Sequence, residues 1–126
     1  MDAYNARDMP VYLGLVSDSL EFRSRFTAMD SVVYRGHDGL RQYFAQLDEV
    51  WSRYEMEPRR LVPAGERVVA LCHLYAVGRE SDLMVEEDSA VVFTLKDGKV
   101  VGIDAYPTHG DALDAVGLGR ALLSPD

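Results

Sequence analysis

The sequence predicts an α+β fold, with helices early in the chain and a long antiparallel meander after them. Three observations predict it. A single apolar stripe at helical spacing runs through Leu40, Tyr43, Phe44, Leu47, Val50, Trp51 and Tyr54. From residue 57 onward the apolar period is two. The period-two runs are separated by turn chemistry: PAGE at 63–66, RES at 79–81 and KDGK at 96–99.

Each element follows in order. Asp8 suits the N-cap of a helix starting near Met9, with Pro10 in its first turn. SLEFR (19–23) alternates apolar and charged residues and reads as a short strand, and VVY (32–34) as a second. In YRGHDGL, Gly36 ends that strand, Gly36 or His37 takes the N-cap, and Asp38 falls in the first turn, where the helix dipole favours it. The helix runs along the stripe to Tyr54, before Pro58. Residues 57–63 form a modest strand, and RVVALCHLYAVG (67–78) and 82–95 form two long ones. Gly98 supplies the positive φ of the next hairpin turn, and VVGIDAY (100–106) is the last strand. A short helix at about 110–116 follows, with His109 as its cap.

The bulk properties exclude several functions. A chain of 126 residues suits one domain, 1–126, and no repeat or linker divides it. A net charge of −8 disfavours nucleic acid or an anionic membrane surface as partner. No apolar run approaches spanning length, and MDAYNARDMP lacks a signal-peptide core. With Cys72 as the sole cysteine, a cytoplasmic location is expected. Three scattered histidines show no metal-ligand spacing, and GLGR (117–120) has no phosphate-loop context, so neither metal nor cofactor is expected.

One acid–base pair stands out. If Arg79-Glu80-Ser81 is a three-residue hairpin loop, Gly78 opposes Asp82 and His73 opposes Glu87. Tyr75 and Ser89 then lie beside them on the same face. A carboxylate that orients an imidazole is a proton-transfer unit, so His73 and Glu87 are the candidate catalytic residues. The alternate face of that strand, Ala70, Cys72, Leu74 and Ala76, is also apolar. If it lines the interior, His73 and Glu87 become an outer-face ion pair, and a one-residue slip decides between the two.

YRGHDGLRQYF, AGERVVAL, VVFTLKDGKVVGIDAY and DALDAVGL, in this order and spacing, resemble the SnoaL-like branch of the nuclear transport factor 2-like superfamily. MDAYNARDM resembles the end of that family's first helix, so a short first helix is expected. The resemblance implies a cone: a curved antiparallel sheet wrapped around N-terminal helices (the cystatin-like roll), with an apolar cavity and pairing of two copies through the sheet. It implies an apolar small-molecule ligand. It also implies, as alternatives, cofactor-independent isomerase, cyclase, dehydratase or hydrolase chemistry, ligand binding without turnover, or a protein-association module. At positions where ketosteroid isomerase carries its general base and its oxyanion-hole acid, this chain has Phe22 and Val91, so that mechanism is not implied. The family's cavity-facing positions on the last strand fall on Ile103 and Ala105. Phe22, Tyr34, Trp51, Tyr75, Ser89, Val91, Phe93, Ile103 and Ala105 are therefore the expected ligand-binding residues.

Overall fold

Alternating apolar residues need a partner surface, and in this chain one helix and one curved sheet supply it for each other. The computed structural model describes residues 14–23, 33–81 and 83–118. Its elements are β1 (Val16–Arg23), β2 (Tyr34–Arg35), α1 (Gly36–Val50), β3 (Trp51–Ala64), β4 (Arg67–Gly78), β5 (Met84–Lys96), β6 (Lys99–Tyr106) and α2 (His109–Ala115). The helix expected from Met9 lies outside the described residues.

The strands form one six-stranded sheet in the order β2-β1-β6-β5-β4-β3. Its pairs are antiparallel except β1 with β6, which run parallel with Phe22 beside Ile103. That parallel pair is absent from the meander expected from sequence. Local alternation carries no information about a pairing of such long sequence separation.

α1 packs against β1 and β2 at one end of the sheet and β3 at the other, so the sheet curls around it. Leu40, Tyr43, Phe44 and Leu47 of the helix meet Leu20, Phe22, Met56, Leu74, Val91 and Ile103 in the larger core. This defines a concave face. On the outer face, α2 contributes Ala112 and Leu113 to a second core with Val62, Val69, Leu71, Ala90 and Val92. The helices thus cover both faces of the sheet, α1 the inner and α2 the outer.

Three local expectations are corrected. α1 stops at Val50 rather than Tyr54, and β3 begins at Trp51 with extended backbone (φ −119°, ψ 129°). Tyr54 and Met56 are both buried and belong to a period-two strand. The helical stripe ran on because Trp51 and Tyr54 serve the same core from a different element. Trp51 and Tyr54, being aromatic, suit a strand. The helix end is held from outside: the Arg79 backbone N–H donates to Val50 O (3.0 Å), and its guanidinium donates to the carbonyls of Asp48 (2.8 Å) and Trp51 (3.3 Å). α1 has no basic residue in its own last turn, so Arg79 supplies the cation its dipole favours there.

At the other end, the N-cap is Arg35, one residue before the expected position, and Asp38 is in the first turn as expected. Gly36 has φ 65°, and a Cβ there would lie 2.9 Å from the Asp18 carbonyl oxygen, so glycine is required. α2 is capped by Thr108, whose Oγ1 accepts from Asp111 N–H (3.0 Å), and not by His109. His109 instead donates from Nε2 to Cys72 O (2.9 Å) and ties α2 to β4.

Candidate functional site on the concave face

The register between β4 and β5 decides which side chains share a face. Gly78 N–H donates to Leu83 O (2.8 Å) and Val77 pairs with Met84, so four residues lie between the strands rather than three. The extra residue shifts every pairing by one. His73 opposes Asp88, Leu74 opposes Glu87, Tyr75 opposes Glu86 and Cys72 opposes Ser89. Because the side-chain period is two, this places His73 and Glu87 on opposite faces. The expected His73–Glu87 pair is not formed.

His73 is on the outer face. Its Nε2 lies 3.0 Å from Glu86 Oε1 and its Nδ1 3.5 Å from Asp88 Oδ1. The Tyr75 ring meets it edge-on at 4.8 Å between centroids. Tyr75, expected among the ligand contacts, therefore faces outward with His73. Both are half-buried, and the carboxylates around them are exposed. The cluster is an ionic network on the sheet surface.

The concave face carries the rest of the expected residues. Phe22, Tyr34, Val91 and Ile103 are buried in the larger core, and Trp51 and Phe93 are partly buried against it. Ala105 pairs with Val91 and shares its face. The rings form a wall: Phe22 and Tyr43 are 4.5 Å apart, Tyr34 and Tyr43 5.6 Å, and Phe22 and Tyr34 6.1 Å. Tyr34 donates its hydroxyl to Gln46 Oε1, and burial raises the pKa of its phenol. Tyr43, one ring of this wall, was read from sequence only as part of the helix stripe.

Polar groups are few there. Ser89 is fully buried, and its Oγ has no hydrogen-bond partner among the described residues. Cys72, directly across from it, is also fully buried, and burial pushes its thiol up to about 11. Its Sγ points toward Ala70 O at 3.6 Å. Glu87, two residues from Ser89, shares this face with Leu74 but is exposed. Among the described residues of β3–β6, it is the one carboxylate on the concave side.

The YRGHDGL segment resolves into a junction. An open depression of about 390 Å³ lies beside the start of α1, lined by Asp18, Arg35, His37, Asp38 and Arg41. Each ionisable group in it has an internal partner: His37 Nδ1 with Asp18 (3.1 Å), Arg41 with Asp38 (2.8 Å) and Arg35 with Glu21 (2.7 Å). His37 Nε2 also donates to Val16 O (2.8 Å), tying α1 to β1. Among the described residues no group of histidine, cysteine and carboxylate side chains could hold a metal ion.

A curled sheet closed on one helix, with an aromatic wall inside, defines the nuclear transport factor 2-like class of α+β cones. Within it, the chain belongs to the SnoaL-like domain family, whose profile matches residues 1–103. No curated protein matches the chain. Among solved structures, it is similar to an NTF2-like protein of unknown function from Burkholderia pseudomallei (TM-score 0.75, 14% identity, covering 92% of this chain and 90% of that one). It is similar to TerC co-crystallised with polyporic acid (TM-score 0.74, 17% identity, 91% and 90% covered). It is also similar to a putative SnoaL-like polyketide cyclase from Shewanella putrefaciens (TM-score 0.70, 16% identity, 91% and 90% covered). At these identities the likeness concerns the fold.

Proposed function

We propose that the chain binds an apolar small molecule on the concave face, and that the carboxylate of Glu87, on the same side of the sheet, moves a proton there. The observation behind this reading is the make-up of that face. Phe22, Tyr34 and Tyr43 form an aromatic wall, Val91, Phe93 and Ile103 an aliphatic and aromatic floor, and only a few polar groups interrupt them. Ligand sites have this character: mostly apolar surface with a small number of placed polar groups. The family and the relative crystallised with polyporic acid support the same use of the fold. A carboxylate beside an apolar site is a general base for isomerisation, cyclisation, dehydration or hydrolysis without a cofactor.

A thermal-shift screen of steroids, aromatic polyketides, terpenoids and their epoxides tests the binding step. A ligand at a hundred times its dissociation constant adds about 2.7 kcal/mol, a shift of several degrees at this size. Glu87→Gln then separates the two parts of the proposal. It abolishes turnover while binding persists, and a protein that binds but turns nothing over even with Glu87 intact is a binder only.

Self-association through the sheet belongs to the same proposal. Beyond α2, the outer face presents half-buried Tyr75 and Val77 next to Met84, which is 79% exposed. Light scattering on the intact chain and on Met84→Lys tests it: a dimer that Met84→Lys converts to monomer is the expected result.

A further inference from the structure

We propose that the pairing of two copies through the outer face takes up protons at His73, so that mild acid drives it; this rests on the self-association reading above. The free part of that face is limited. α2 covers Val62, Val69, Leu71, Ala90 and Val92. A second copy therefore meets the sheet beyond them, at His73, Tyr75, Val77 and Met84.

The register sets the charges of this patch. Glu57, His73 and Asp88 lie side by side in one cross-strand row, and Glu55, Tyr75 and Glu86 in the next. The β3 carboxylates have arginine partners: Arg53 pairs with Glu55 (3.0 Å) and Arg59 with Glu57 (3.3 Å). Arg59 also reaches the Tyr75 hydroxyl (3.5 Å). α2 brings His109, whose Nε2 is engaged by Cys72 O. On β5, Glu86 and Asp88 both pair with His73, and among the described residues with no lysine or arginine. His73 is thus their cation, and only when it is protonated.

Its geometry fits the protonated form. Nε2 faces Glu86 Oε1 at 3.0 Å, and Nδ1 faces Asp88 Oδ1 at 3.5 Å. A neutral imidazole carries one N–H and turns a lone pair toward the second carboxylate, whereas an imidazolium donates to both. In the separated chain the two carboxylates are exposed and water solvates them. A second copy on this patch removes that water and adds its own Glu55, Glu57, Glu86 and Asp88. Carboxylates desolvated without a countercharge oppose association, and a proton on each His73 offsets them. Histidine changes charge between roughly pH 5 and 8, so association strengthens as pH falls through that range. By linkage, each proton taken up strengthens it by up to about tenfold per pH unit.

Sedimentation equilibrium of the full chain from about pH 8 to about pH 5.5, at fixed ionic strength, tests this. The dimer dissociation constant should fall at least about tenfold across the range. His73→Gln, which stays polar but takes no proton, should still dimerise, with less than about a threefold change. Dilution calorimetry in two buffers of different ionisation enthalpy needs no variant. It should read about one to two protons taken up per dimer formed, since each dimer holds two copies of His73. If the pH slope persists in His73→Gln, or calorimetry reads no proton uptake, the role of His73 is overturned while self-association stands. If mild acid weakens the dimer, the inference is overturned by its sign. If the chain is monomeric at every pH, or if Met84→Lys leaves the dimer intact, the self-association reading falls and the His73 inference with it.

Discussion

Cys72 reports on the concave face without any ligand. It is fully buried, and burial raises its thiol from an ordinary 9.0 to about 11. At pH 8 a thiol titrating at about 11 is roughly 0.1% thiolate, against roughly 10% for one at its ordinary value. The thiolate is the nucleophile, so ionisation alone slows disulfide-exchange labelling about a hundredfold, before burial blocks access at all. The same shift couples to stability. Between about pH 9 and about pH 11 the native thiol keeps a proton that the unfolded thiol releases, so folding stability falls as pH rises through that window. Two units correspond to on the order of 2–3 kcal/mol. The phenols of Tyr34 and Tyr106, also raised by burial, add a loss of the same sign at higher pH. The assay is labelling with Ellman's reagent in native buffer and in urea, alongside urea melts from pH 8 to pH 11. Cys72→Ala should flatten the alkaline slope. Native labelling at the denatured rate, or identical slopes with and without the thiol, would refute the argument that this face is dry.

Three further outcomes follow from particular contacts. Arg79→Ala removes two guanidinium bonds and the cation at the α1 C-terminus, and should cost about 2 kcal/mol, or roughly 5–10 °C in Tm, by calorimetry. Arg79→Lys should fall in between, since it keeps the charge but loses the planar fork. His73→Ala should leave ligand affinity and any turnover unchanged and cost at most about 1 kcal/mol, because its partners are exposed carboxylates on the outer face. Glu21 titrates below its ordinary 4.5 because Arg35, and then Arg23, hydrogen-bond to its carboxylate. Its contribution is present above that value and is lost as pH falls through the lowered one. Glu21→Gln should therefore make the acid limb of a pH–stability curve shallower below about pH 4.5.

What the sequence disclosed depended on how local the determinant was. β4 runs over the predicted 67–78, and the Asp97-Gly98 turn takes the positive φ values the hairpin requires, 53° and 79°. Alternation and turn chemistry are properties of neighbouring residues, so they survive without a structure. The concave set Phe22, Tyr34, Val91, Phe93 and Ile103 was legible because parity within a strand is local and the family resemblance chose the face. The end of α1 was not. Arg79, nearly thirty residues downstream, holds that end, and Trp51 and Tyr54 continue the helical spacing by serving the same core from β3. The hydroxyl of Ser89, without a partner among the described residues, was equally hidden, since nothing in a sequence counts hydrogen bonds. The relation between His73 and Glu87 was hidden most completely, because both pairings of β4 with β5 satisfy the alternation of each strand. Only the loop length separates them.

Deleting Glu80 tests what sets that register. The shortened loop forces a choice. The strands can keep Val77 opposite Met84 and close Gly78 to Leu83 across three residues, none of them glycine. Three-residue hairpin loops place one residue in the left-handed region, so this strains the turn by about 1–3 kcal/mol. Or β5 can slip by one, restore a four-residue loop with Gly78 opposite Met84, and bring His73 opposite Ser89. That slip turns Val91 and Phe93 outward, at roughly 1.5–3 kcal/mol each, and turns Glu86 and Asp88 inward, at several kcal/mol per desolvated carboxylate. Burial outweighs turn strain severalfold, so the register should hold. The deletion variant should melt several degrees lower and retain the cross-strand contacts between Cys72 and Ser89 in nuclear Overhauser spectra. A spectrum that pairs His73 with Ser89 instead would mean that turn geometry, and not the burial of the concave face, determines which side chains this protein turns toward its interior.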